Sequence, residues 1–156
     1  MTDALSPAEH AELIAAARDR LLAFAAACTD DIWHARPLAE HGDHRAVGVI
    51  VDHVAHAYEY MGGWMREILT GSSPPVDVAL VDRLNAAHAG DAGHLTQAGA
   101  MEHLSRSGDE LIAQVSALTA ADLEAGGGRV RRVAEIAARH PDMHRTDIEE
   151  ALGDSG

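Results

Sequence analysis

The chain has 156 residues, the usual size of one domain and too few for two comfortable ones. Twelve basic residues face 25 acidic ones, for a formal net charge of −13 before the 11 histidines are assigned. A nucleic acid or an anionic membrane surface needs a basic face, so both are excluded as main partners. Alanine supplies 31 residues and the aromatics only five, which suits a core of packed helices better than a sheet.

In chain order, Ser6-Pro7-Ala8-Glu9 is a helix start, with Ser at the N-cap, Pro at N1 and Glu at N3. Ile14, Ala17, Leu21, Phe24 and Cys28 then recur at three- and four-residue spacings as one apolar stripe. Thr29-Asp30-Asp31 and Arg36-Pro37 break the pattern, and a polar stretch runs to Asp43. A second helix is expected from Asp43 as N-cap to Thr70, stopped by Gly71 and the Ser-Ser-Pro-Pro run behind it. Val47, Val51, Val54, Tyr58, Met61, Met65 and Ile68 form its stripe, with Gly62 and Gly63 inside as a close approach or a kink. A shorter amphipathic piece occupies 77–90. Thr96 caps a third long helix with Met101, Leu104, Gly108, Leu111, Val115 and Leu118 on its stripe. Residues 118–123 read as a one-turn connector, and Gly126-Gly127-Gly128 as a flexible loop. A last helix is expected from about Arg129 to Leu152, with Val130, Val133, Ile136, Ala137, Ile148 and Ala151 turned inward and a frayed tail beyond it. Four long amphipathic segments without an alternating stretch predict an all-α four-helix bundle, one domain over 1–156, with a short additional connecting helix.

Cys28, the only cysteine, excludes an internal disulfide and any CxxC motif, and its place on a stripe makes it a core thiol. The first ten residues carry neither a basic nor an apolar signal region, and no apolar run approaches about 20 residues. A cytoplasmic protein is the expectation.

The histidines carry the chemistry. On a helical wheel His140 and His144 fall about 40° apart near the middle of the last helix's stripe. An i, i+4 pair on one face offers two imidazoles to one ion, whereas two core histidines without a cation waste desolvation energy. Pro141 between them removes a backbone bond, so either the helix bends there or its regular part begins at His140. Asp147, within about 20° of His140 on the wheel, is either an acceptor that orients an imidazole or an acid paired with arginine. On the second helix His53 lies at the edge of the stripe beside Ala57 and Trp64, while His56 faces solvent. His53 is the third candidate ligand. His103 lies beside the third stripe, and His10, His34, His41, His44, His88 and His94 are assigned to loops or polar faces.

The segment Val51-Asp52-His53-Val54-Ala55-His56-Ala57-Tyr58, preceded by Arg45-Ala46-Val47, resembles the second-helix motif of the DinB/YfiT-like superfamily. His140-Pro141-Asp142-Met143-His144-Arg145-Thr146-Asp147-Ile148 resembles its closing His-x3-His helix, and the connections at 81–86 and 118–123 are similar too. Two features depart from the pattern: Pro141 between the ligands, and His44-Arg45 where a tryptophan commonly precedes the second helix. The resemblance implies a four-helix bundle, often a homodimer, in which three histidines hold a divalent metal. Carried over, those ligands are His53, His140 and His144. It also implies a metal-dependent enzyme using a low-molecular-weight thiol, as in mycothiol-dependent maleylpyruvate isomerase and bacillithiol S-transferases. The lysine-free, Ala- and Arg-rich composition fits GC-rich coding and leans towards mycothiol.

Three imidazoles leave a coordination position open, as in catalytic sites. Zn or Ni is expected, and Fe, Mn or Cu is compatible with the donors. No glutamate follows His140, so the HExxH protease mechanism has no base here. An open metal lowers the pKa of a bound water or deprotonates a bound thiol, which then attacks a small-molecule electrophile. The alternative is a non-catalytic bundle that binds a small molecule or partner, its histidines structural or vestigial. Trp64, Tyr60 and Trp33 are the aromatic side chains placed to line a substrate pocket or to stack in the core.

Overall fold

The computed structural model describes residues 3–77, 79, 80, 83 and 95–154. Among these, six α-helices and one 3-10 turn account for the regular structure, and there is no strand. Helix α1 spans Pro7–Ala27, and its start is the predicted capping box: Ser6 Oγ accepts from the Glu9 amide, and Glu9 accepts from the Ser6 amide at 2.7 Å. Ile14, Ala17 and Leu21 are buried as expected, but the stripe then continues through Ala25 to Cys28, leaving Phe24 half-buried.

The polar stretch after α1 holds a short helix that periodicity could not show. Helix α2, Asp30–His34, is capped by Thr29 and drives Trp33 into the core. A 3-10 turn at Ala39–His41 follows. Helix α3 spans Val47–Leu69 with Ala46 at the N-cap, so it starts three residues later than expected, and Asp43 is not its cap. Asp43 instead grips Arg45 through both carboxylate oxygens, at 3.0 and 2.8 Å, while the first helical amide, on Val47, donates to the Ala35 carbonyl. The end of α2 thus satisfies one of the first-turn donors of α3, which has no side-chain cap. All seven stripe residues of α3 are buried, and Gly71, at φ +90°, ends it as expected.

Helix α4, Gln97–Ser116, begins at Thr96, whose hydroxyl accepts from the Gly99 amide. Helix α5, Ala120–Leu123, is the one-turn connector, closed by a Thr119–Asp122 capping box. Helix α6, Ala125–Asp154, contains three successive left-handed glycines, Gly126, Gly127 and Gly128. That run is a defined turn that only glycine adopts without strain, rather than a loose loop. From Arg129 onward the dihedrals are helical through Pro141, so the regular helix does not wait for His140. The short piece expected over 77–90 lies for the most part outside the described residues.

The long helices form a square in which α1 and α3 sit on one diagonal, each packed against both α4 and α6. The 19 residues of 28–46, with α2 inside them, carry the chain across that diagonal. Gly62, Gly108 and Gly48 mark where neighbours come close. Gln114 Nε2 donates to the Gly62 carbonyl, Arg18 lies over Gly108, and the Trp33 ring lies over Gly48. Close approach, not a kink, is therefore the use of Gly62. No described helix is long and apolar enough to cross a membrane.

Candidate metal centre

Two seams of α3 matter, and the first is its contact with α6. His53 points from α3 into that seam, and His140 and His144 meet it from successive turns of α6. All three are buried, at 2, 2 and 6 % exposure. His53 Nε2 lies 3.3 Å from His140 Nε2, and His144 Nε2 lies 2.9 Å from the same atom. The three ring centroids are 4.5 to 5.0 Å apart, with each pair of planes nearly perpendicular.

One nitrogen cannot serve both neighbours by hydrogen bonding, since an imidazole Nε2 carries either one hydrogen or one lone pair. Three such atoms directed at one point fit a cation. For bonds of about 2.0–2.1 Å, the edge of a tetrahedral nitrogen sphere is about 3.3–3.4 Å and that of an octahedral one about 2.9 Å. The two observed separations span those values. The donor set therefore suits a divalent ion, and the three ligand atoms all lie within 4.8 Å of one another.

The surroundings are charged but orderly. Asp43 lies near His144; burial pushes its carboxyl up, and the Arg45 hydrogen bonds outweigh this and hold it below the usual range. Asp142, between the two α6 histidines, is held low mainly by Arg20 at 2.6 Å and also by Arg145. Fixed as an ion pair across α1 and α6, it is not a free base. Asp147 is exposed on α6, three residues beyond His144. Cys28 is buried, its thiol donates to the Phe24 carbonyl at 3.3 Å, and burial pushes its pKa up. Such a thiol is inert.

The aromatic candidates separate. Tyr60 and Trp64 line a cavity of about 480 Å³ with His56, Glu59, Gly63, Glu67, Pro74 and Pro75, whereas Trp33 is a core residue on Gly48. The three ligand candidates are not in that lining.

One further histidine was misplaced by the sequence, and another gained partners that the sequence did not show. His10, assigned to a polar face, is 1 % exposed, and neither ring nitrogen has a hydrogen-bond partner among the described residues. Its signal was available, because position 10 extends the α1 stripe of 14, 17 and 21 by one step of four. His103, read as lying beside its stripe, bridges two carboxylates of α3. That pairing joins positions 44 and 51 residues apart and left no mark in local spacing.

No curated protein and no solved structure matches the chain. Residues 13–148 match the profile of the DinB superfamily, nearly the whole chain and both halves of the histidine cluster. Histidine geometry, bundle and profile agree, and the chain belongs to the DinB superfamily.

Proposed function

We propose that His53, His140 and His144 hold one divalent ion, zinc or nickel first, with a coordination position left open, and that the chain is a metal-dependent enzyme. The observation that carries this is the convergence of two buried imidazole nitrogens on His140 Nε2. A divalent ion in such a site supplies Lewis acidity that lowers the pKa of a thiol or water reaching it. The chain's own part is to keep three neutral donors desolvated at fixed separations across the α3–α6 seam. Neither Cys28 nor Asp142 is free to act as nucleophile or base, which favours a nucleophile supplied from outside the protein, as the family resemblance implies. A low-molecular-weight thiol of the mycothiol type fits that requirement, with S-transfer to, or isomerisation of, a small electrophile as the reaction. A homodimer is part of the same reading, checked by light scattering.

Metal analysis and thermal melting test the proposal together. An ion at one hundred times its Kd adds about 2.7 kcal/mol to stability. For a chain of this length that raises Tm by about 5–10 °C. Zinc or nickel should produce that shift in the apoprotein, and His144→Ala should abolish it. Metal content below about a tenth of an equivalent with an unchanged Tm would leave the non-catalytic reading. With metal bound, loss of free thiol on mixing with an electrophile tests the chemistry.

A further inference from the structure

The second seam of α3, against α4, carries a cluster that the first site does not use. Asp52, His56 and Glu59 project from α3, and His103 and Ser107 meet them from α4. His103 Nδ1 lies 2.7 Å from Asp52 Oδ1, and its Nε2 lies 2.7 Å from Glu59 Oε1. His56 Nε2 approaches the other Asp52 oxygen at 3.2 Å, and the two imidazoles stand edge to face at 4.7 Å between centroids. Asp52 and His103 are largely shielded, at 14 and 17 % side-chain exposure, and His56 forms the open side.

A neutral imidazole has one N–H, yet both nitrogens of His103 face a carboxylate oxygen at hydrogen-bonding distance. A protonated ring would donate to both carboxylates; a neutral ring that donates from Nε2 to Glu59, itself steadied by Ser107 at 3.1 Å, turns its Nδ1 lone pair towards Asp52. In that neutral form lone pair against carboxylate is repulsive, and a cation between them relieves it. A proton can be shared by two atoms, but here three donors gather: His103 Nδ1, Asp52 and His56, with ligand atoms all within 4.8 Å of one another. A carboxylate that accepts from the far nitrogen of a ligating histidine is also the usual outer support of a metal site.

We propose that Asp52, His56 and His103 form a second divalent-cation site, with Glu59 orienting His103. Two imidazoles and a carboxylate select a first-row ion such as zinc over magnesium or calcium. The half-exposed side at His56 leaves the remaining coordination positions to water. The ion pins α4 to α3 as the first site pins α6 to α3, and the two are distinct because adjacent residues such as Asp52 and His53 point about 100° apart on a helix. One ion faces the core seam and the other borders the cavity lined by His56 and Glu59.

Zinc titration of the apoprotein against a chromophoric chelator tests this, since the chelator masks weak binding by surface histidines. The wild type should take two equivalents and His103→Gln one. The double variant His53→Ala/His144→Ala should keep one equivalent, which His103→Gln in the same background removes; failure of the first site thus leaves this one measurable. Glu59→Ala should weaken the second equivalent about 10–100-fold without removing it. If His103→Gln does not fold by circular dichroism, His56→Gln, on the open side, serves in its place with the same expected loss. One equivalent in the wild type, eliminated by His53→Ala/His144→Ala, would overturn the proposal and make the cluster a protonated ion-pair latch. Two equivalents retained in the folded His103 or His56 variant would overturn it equally.

Discussion

Gly48→Ala is a demanding test of the architecture that seats α3. A Cβ built there falls 2.4 to 2.7 Å from three atoms of the Trp33 indole, against ordinary contact at about 3.5–4.0 Å. Relief requires a shift of about 1 Å, and Trp33, 3 % exposed in the core, has nowhere open to move. Overpacking of this kind costs about 1–3 kcal/mol, and a clash this deep belongs in the upper half. Alanine recovers up to about 1 kcal/mol of helix propensity. The net expectation is a loss of about 1–2 kcal/mol, or a Tm lower by about 2–8 °C. Gly63→Ala is the internal control: its Cβ meets nothing nearer than an Arg66 nitrogen at 3.9 Å, so the propensity gain alone should raise stability by up to about 1 kcal/mol. Urea denaturation followed by circular dichroism measures both, and Gly48→Ala/Trp33→Leu should recover part of the loss through a double-mutant cycle. A Gly48→Ala protein as stable as the wild type would show that α2 does not press its tryptophan on the first turn of α3.

Gly126→Ala should cost about 2 kcal/mol or more in the same assay, because a positive φ of +64° and a 2.7 Å contact with Ile68 Cγ2 act together. Gly127→Ala, with open space around it, should show only the backbone part, about 1 kcal/mol. Tyr58→Phe should be neutral or stabilising by up to about 1 kcal/mol, since the Tyr58 hydroxyl is buried with no hydrogen-bond partner among the described residues; a clear loss would reveal a buried partner. His10 is held neutral in the fold because burial lowers its pKa from the ordinary value of about 6.5. The unfolded chain then binds the extra proton first, so this contribution is intact above that value, is lost as pH falls from it towards the lower folded pKa, and is constant below. Stability measured from pH 8 to 5 should therefore fall less in His10→Leu than in the wild type, and parallel profiles would refute the assignment.

Most of the bundle was legible because helix periodicity is a local signal. The caps at Ser6 and Thr96 and the buried stripe of α3 involve residues within a few positions of one another. What failed was set at longer range. Asp43 has the right chemistry for a cap, but Arg45 takes its carboxylate and the Ala35 carbonyl takes the Val47 amide. Helix α2 is too short to show a period, and its fully buried anchor, Trp33, is explained by Gly48 across the joint. Pro141 looked like an interruption, yet proline's φ suits a helix, and the non-helical dihedrals of α6 are confined to Gly126, Gly127 and Gly128.

The histidines divide along the same line. His140 and His144 were found because a spacing of four on one helix brings two rings together whatever the tertiary structure does. His53 required the further guess that its stripe faces the last helix, and the contact of α3 with α6 bears that geometry out. His103 gave no such signal, since its carboxylates lie on a neighbouring helix, whereas His56 stands four residues after Asp52, a local pairing legible in the sequence but passed over because it lies off the inward-facing stripe. One helix thus presents Asp52 and His53 to two different neighbours, and a rotation of about 100° per residue is enough to do so. A histidine's role in this fold follows from which seam it enters: a buried seam with only imidazoles gathers them around one point, a buried position without partners keeps a ring neutral, and a seam that also carries carboxylates calls for a cation between the charges.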